Sequence, residues 1–144
     1  ESVCKNFSNR LIEIYSFQDS LDFEICNKFE KKLKLLNSDI KTKVYAGLTN
    51  SEIIEKISQV EFMIAMRFHA IIIGLISNTK ILAINYDIKI DKISKEFNLP
   101  IIGLKSEFGD NFPKLQKQDI EARQTALGQT KFDWTRIIEI LNLS

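Results

Sequence analysis

Val60-Glu61-Phe62-Met63-Ile64-Ala65-Met66-Arg67-Phe68-His69-Ala70-Ile71-Ile72-Ile73-Gly74-Leu75-Ile76 is the stretch that decides the fold. Its first part, Val60 to Met66, is a short apolar run and reads as a strand. From about Arg67 to Ile76 the pattern becomes helical, and this helix is apolar almost all round: Phe68, Ala70, Ile71, Ile72, Ile73, Leu75 and Ile76. A helix without a polar face packs on every side. Lys80 to Asn85 is a second strand, and its Ile81-Leu82-Ala83-Ile84 run is continuous rather than alternating. Continuous apolarity suits a strand covered on both faces, as in a parallel sheet. Strand, apolar helix and strand in this order make a β-α-β unit with a right-handed crossover.

Working outward, the same alternation continues. Asp87 to Phe97 reads as a helix with Ile90, Ile93 and Phe97 inward, and Leu99 to Ile102 as a last short strand. Gly103 to Leu115 reads as a loop. Helices over about Gln116 to Leu127, ended by Gly128, and over Phe132 to Asn142 close the chain, the last packing through Trp134, Ile137, Ile138 and Leu141. Upstream, Leu11 to Phe17 is a strand. Asp19 or Ser20 caps a helix running to about Leu36, with Leu21, Ile25, Phe29, Leu33 and Leu36 on its inward face. Lys43 to Ala46 is a strand ending at Gly47. Thr49-Asn50-Ser51-Glu52 is a capping box that opens a helix with Ile53, Ile54 and Ile57 inward. The reading is an α/β fold: a Rossmann-like, doubly wound parallel sheet of four to five strands flanked by helices.

Composition narrows the function classes. With 144 residues, 44% hydrophobic and 27% charged, the chain is an ordinary globular domain with a sizeable core. The net charge of +1 gives no basic footprint, so no nucleic-acid partner is expected. The lysines Lys28, Lys31, Lys32 and Lys34 read as a solvated helix face. Two cysteines, Cys4 and Cys26, form no disulfide framework and point to a reducing compartment, the cytoplasm; Cys26 reads as core. One histidine excludes a multi-histidine metal site, and no cofactor is expected. The N-terminus carries no signal-peptide h-region, and the apolar runs are too short to span a bilayer. The chain begins with Glu1 rather than Met, which reads as a domain cut from a longer protein.

In open α/β sheets ligands sit at the carboxyl ends of the strands. Four junctions qualify: Phe17-Gln18-Asp19, Ala46-Gly47-Leu48-Thr49, Met66-Arg67-Phe68-His69 and Asn85-Tyr86-Asp87-Ile88-Lys89. The third is the most informative. A helix N-terminus presents unpaired N–H groups, and Arg67 adds a full positive charge, a combination suited to carboxylate or phosphate. His69 beside it can move protons near neutral pH, although both residues also fit local structural roles. At the fourth junction Lys89 can lend a second cation, while Asp87 fits a helix N-cap. Neither GxGxxG nor GxxxxGK[ST] is present.

Val60 to Ala70 with its Arg67-Phe68-His69-Ala70, followed by Ile84-Asn85-Tyr86-Asp87-Ile88-Lys89, resembles the polysaccharide pyruvyl transferase family. There a hydrophobic strand leads into R-x-H-[AS], and a second strand ends in Y-[DN]-x-K. The sequence departs from the family where Glu61 replaces a frequent Asp, where Asn78-Thr79-Lys80 replaces a frequent Gly-x-Pro, and where Ile88 replaces Pro. The resemblance implies a GT-B-like enzyme of two Rossmann-like domains, of which this would be the C-terminal one. It implies transfer of the enolpyruvyl group of phosphoenolpyruvate to sugar hydroxyls, forming a pyruvate ketal and releasing phosphate. It implies Arg67 as a ligand of the phosphoenolpyruvate anion, His69 as general acid or base, and Lys89, Tyr86 and Phe68 as further donor-site residues. The implied partners are phosphoenolpyruvate, a saccharide or lipid-linked oligosaccharide acceptor, and an N-terminal domain of the same enzyme, without which this half would not turn over. Peripheral association of the whole enzyme with the inner face of a bacterial membrane follows from such an acceptor. Two other readings compete. The donor domain of a GT-B glycosyltransferase would carry a glycine-containing loop and a carboxylate for the ribose. A non-catalytic α/β interaction module would bury and satisfy Arg67 and His69, leaving no open crevice between them and Lys89.

Overall fold

A computed structural model describes residues 2–104, so the two closing helices and nearly all of the preceding loop lie outside the described residues. The element order is α1 (Ser2–Phe7), β1 (Leu11–Tyr15), α2 (Asp19–Leu36), β2 (Lys41–Tyr45), α3 (Asn50–Ile57), β3 (Phe62–Ala65), α4 (Phe68–Ile76), β4 (Lys80–Asn85), α5 (Ile88–Glu96) and β5 (Ile101–Gly103). The strands are parallel throughout, and the architecture is Rossmann-like α/β. They hydrogen-bond as two ladders, β1-β2 and β3-β4-β5. The described residues fall into two compact units that divide between Leu48 and Thr49.

In the first unit β1 and β2 pair from Leu11 with Lys41 to Tyr15 with Tyr45. One ladder face packs Ile12, Ile14 and Val44 with Cys4, Cys26, Leu33 and Ile40. Helix α1 was not expected from the sequence; it contributes Val3 and Cys4 to this core, and the Cys4 thiol donates to the Leu33 carbonyl at 3.7 Å. The inward stripe expected for α2 is corrected. Of its members only Leu33 is buried, together with Cys26, whereas Leu21, Ile25, Phe29 and Leu36 are exposed. The two-stranded ladder takes only the Cys26–Leu33 side of the helix. Neither Asp19 nor Ser20 is the N-cap of α2. Gln18 occupies that position without a side-chain cap, and its backbone N–H donates to Asp22 Oδ2 at 3.2 Å.

In the second unit the core lies around α4. Ala70, Ile71, Ile72, Ile73, Gly74 and Leu75 are all buried, as are Ile81, Leu82 and Ala83 of the central strand. β4 spans the expected residues, and both its neighbours run parallel to it. Thr49 and Glu52 form the capping box that opens α3, with Ile53 and Ile57 buried and Ile54 half-buried. Ile90, Ile93 and Phe97 point α5 into the core.

The two crossover helices end alike. After α4, Asn78 adopts φ +55°, its N–H donates to the Leu75 carbonyl at 3.1 Å, and the Thr79 N–H donates to Gly74 at 2.9 Å. After α5, Asn98 adopts φ +48°, with Asn98 N–H to Lys95 at 3.3 Å and Leu99 N–H to Ser94 at 2.8 Å. This is the Schellman pattern, which needs a left-handed residue just past the helix. Asparagine tolerates that conformation, so Asn78 does the work of the glycine common at this turn in the family the sequence resembles. The turn is also tied down: the Thr79 hydroxyl donates to the Ile57 carbonyl at 2.8 Å.

Candidate functional site

Two of the four junctions close on themselves. Gly47, at φ +69°, donates its N–H to Asp19 Oδ2 at 2.6 Å, joining the carboxyl end of β2 to the start of α2. With Asp19 and Asp22 in its first turn, α2 offers an anion no welcome. Gln18 and Asp19 both enter local hydrogen bonds here, the Gln18 N–H to Asp22 and Asp19 from Gly47. Cys26 matches its expected core role: burial, then the nearby Asp22 and Asp19, raise its thiol pKa and disfavour the nucleophilic thiolate.

The β1-β2 ladder holds one cluster that the sequence pattern did not single out. On the face opposite the core, the Tyr15 and Tyr45 hydroxyls donate to the two oxygens of Glu13, each at 2.8 Å. Their rings stack at 4.9 Å, and Lys43 lies 4.7 Å over the Tyr45 ring. Burial first, and then the bond to Glu13, push the Tyr15 pKa upward. The spacing of Glu13 with Tyr15 and of Lys43 with Tyr45 was the available signal, because residues two apart on a strand share a face. This polar cross-strand set pins the register of the ladder.

The carboxyl edge of the β3-β4-β5 ladder is different. Met66 and Arg67 link β3 to α4, with Arg67 at the N-cap position and no side-chain cap on the helix. α4 has no acidic residue in its first turn, unlike α2, α3 and α5. Its N-terminal dipole is thus uncompensated by its own first turn. One position on, β4 ends at Asn85, and Asp87 caps α5 by accepting the Lys89 N–H at 2.7 Å.

A cavity of about 150 Å³ opens between these ends, lined by Arg67, Phe68, His69, Tyr86, Asp87, Lys89 and Ile90. All five residues selected from the sequence line it: Arg67 and Phe68 half-buried, His69, Tyr86 and Lys89 exposed. The Phe68 ring meets His69 edge-on, with centroids 6.1 Å apart. Arg67 and Lys89 bring two cationic side chains, and His69 an imidazole, to one small hollow. Asp87 supplies the single carboxylate of the lining, and its N-cap bond accounts for its presence. This open hollow is what the interaction-module reading did not expect.

The deep burial of α4 fixes the start of that helix, and with it the spacing of Arg67 and His69. Large apolar side chains exposed in residues 49–104 are Met66, Tyr86, Ile88 and Leu104, all just beyond the carboxyl ends of β3, β4 and β5. Among the described residues no group of three His, Cys, Asp or Glu side chains is placed to hold a metal ion, and no helix is long and apolar enough to cross a membrane.

Fold and site define an α/β protein with a cation-lined hollow at parallel strand ends. The chain belongs to the polysaccharide pyruvyl transferase family, whose model matches residues 2–88, more than half of the sequence. The match includes Arg67, Phe68, His69 and Tyr86 and ends one residue before Lys89. No curated protein and no solved structure gives a significant match to the chain.

Proposed function

We propose that the hollow at the ends of β3 and β4 binds phosphoenolpyruvate and that the enolpyruvyl group passes from it to two hydroxyls of a saccharide. The observation that carries this reading is the convergence of Arg67, His69 and Lys89 on one cavity at the start of α4. Phosphoenolpyruvate carries a carboxylate and a phosphate on three carbons. A small cavity with two permanent cations and a helix N-terminus suits such a compact anion. Its volume, about 150 Å³, is below the roughly 300–1,000 Å³ of sites for larger ligands, which favours this donor over a nucleotide-sugar.

Arg67 and Lys89 hold the donor's anionic groups, and Tyr86 and Phe68 wall the pocket. His69 gives a proton to the methylene carbon, which becomes the methyl group. The adjacent carbon gains oxocarbenium character, and a saccharide hydroxyl oxygen bonds to it. The carbon–oxygen bond to phosphate then breaks, and a second hydroxyl closes the ketal. Of the two hydroxyl protons, one restores His69 and the other leaves with phosphate, so atoms and charge balance. A lipid-linked saccharide acceptor would draw the whole enzyme to a cytoplasmic membrane surface as a peripheral protein. A preceding domain would complete the cleft.

Kinetics of the full-length enzyme, with phosphoenolpyruvate and an accepted saccharide, test the assignment. His69→Ala is expected to lower kcat by about 10²–10⁴-fold, the usual worth of a positioned acid. Arg67→Ala is expected to raise the phosphoenolpyruvate KM by about tenfold or more, with Arg67→Lys between it and the parent. Unchanged constants in both alanine variants would refute the assignment.

A further inference from the structure

A second hollow adjoins the first. It measures about 490 Å³ and is lined by Asn85, Tyr86, Asp87, Ile88, Asp91 and Leu104. Tyr86 and Asp87 line both hollows and form the wall they share. The first hollow lies between the ends of β3 and β4, the second between the ends of β4 and β5. Their chemistries are opposed: one is lined by Arg67, His69 and Lys89, the other has no cation in its lining.

We infer that this second hollow is the saccharide-acceptor subsite, a site for a neutral, polyhydroxylated ring. The inference rests on the donor reading of the neighbouring cavity. Three observations support it. The hollow is shallow and open, and at about 490 Å³ it gives a sugar ring room to lie on the surface rather than be enclosed. The polar lining is one amide and two carboxylates, groups that accept from hydroxyls and repel a second anion. The apolar lining is Tyr86, Ile88 and Leu104, exposed by 45%, 69% and 65%, which gives the C–H face of a sugar ring a surface to cover.

The carboxylates are already held in place. Asp87 accepts the Lys89 N–H, and Asp91 pairs with Lys95 at 2.7 Å. A carboxylate offers about four lone-pair sites, so each retains acceptor capacity for a hydroxyl. The shared wall places an acceptor oxygen beside the donor pocket, as direct transfer requires.

The test is protein-observed NMR on the full-length enzyme, titrated with methyl galactoside, methyl glucoside and methyl mannoside, with and without saturating phosphoenolpyruvate. The expected result is that at least one glycoside shifts the amides of residues 85–91, also with phosphoenolpyruvate present. Asp91→Ala should weaken that binding by about tenfold, the worth of a hydrogen bond to a charged group. Tyr86→Ala should weaken it too, whereas Tyr86→Phe should retain it. The Asp91→Ala change should leave phosphoenolpyruvate affinity unaltered. No shift with any glycoside, shifts centred on Arg67 and His69, or glycoside binding abolished by phosphoenolpyruvate would each overturn the inference. Glycoside binding here without phosphoenolpyruvate binding at Arg67 would instead refute the donor reading and leave this subsite standing.

Discussion

Helices α2 and α4 both follow a parallel strand and both carry many large apolar residues, yet they are buried to opposite extents. In the nine-residue α4, Ile71 and Ile73 are 0% exposed. In the 18-residue α2, Ile25 is 64% exposed and Leu35 87%, and only Cys26 and Leu33 are buried. The difference lies in what each helix has to pack on. α2 meets a two-stranded ladder, whereas α4 sits in a unit with three paired strands and α3 beside it. A helix's apolar count therefore sets how much it could bury, and the neighbouring layer sets how much it does. The consequence for function is direct. Arg67 and His69, proposed above as donor-site residues, stand at the start of the deeply packed helix, where their spacing is fixed.

Substitutions can break or sharpen this contrast. The largest expected effect is from Ile72→Ala, which leaves a cavity in the α4 core and should cost about 2–5 kcal/mol in denaturant unfolding of the full chain. Gly74→Val should cost about 1–3 kcal/mol, because a Cβ there meets the Met63 sulfur and comes within 2.9 Å of Ile81 Cδ1. Thr49→Ala should cost about 1 kcal/mol by removing the capping box of α3. Its partner Glu52 has a lowered pKa, first because the Thr49 backbone N–H donates to its carboxylate and next because the Thr49 hydroxyl does, and alanine loses only the second bond. A depressed carboxylate pKa adds stability above the unfolded value of about 4.3, and that stability is lost as pH falls through the folded value. The Thr49→Ala penalty should therefore shrink as the unfolding midpoint is followed into acid. Ile25→Ala should be smallest, within about 0.5 kcal/mol, as for other exposed positions. A cost for Ile25→Ala comparable to that of Ile72→Ala would abolish the contrast.

Legibility in the sequence followed the same division. Features set by near neighbours were readable: the Thr49–Glu52 capping box, the Asp87 cap of α5, the limits of β4 and the all-apolar α4. Features set by distant packing were not. The 3.6-residue period of α2 marks which residues could be inward and says nothing of how few would find a partner. Helix α1 is six residues long and has too little pattern to detect. At the site, Arg67, His69, Tyr86 and Lys89 were legible because strand ends are where ligands bind and these residues follow two strands directly. The adjoining hollow was not, because it needs Leu104, beyond β5, to come beside Asp91, one turn into α5.

The central claim is that the hollow at the start of α4 is a donor-anion site. Calorimetric titration of the full-length enzyme with phosphoenolpyruvate, in parallel with its Arg67→Ala variant, tests it most directly. Saturable binding to the parent, weakened about tenfold or more in the variant, is the predicted result. Equal affinity in the two proteins would contradict it.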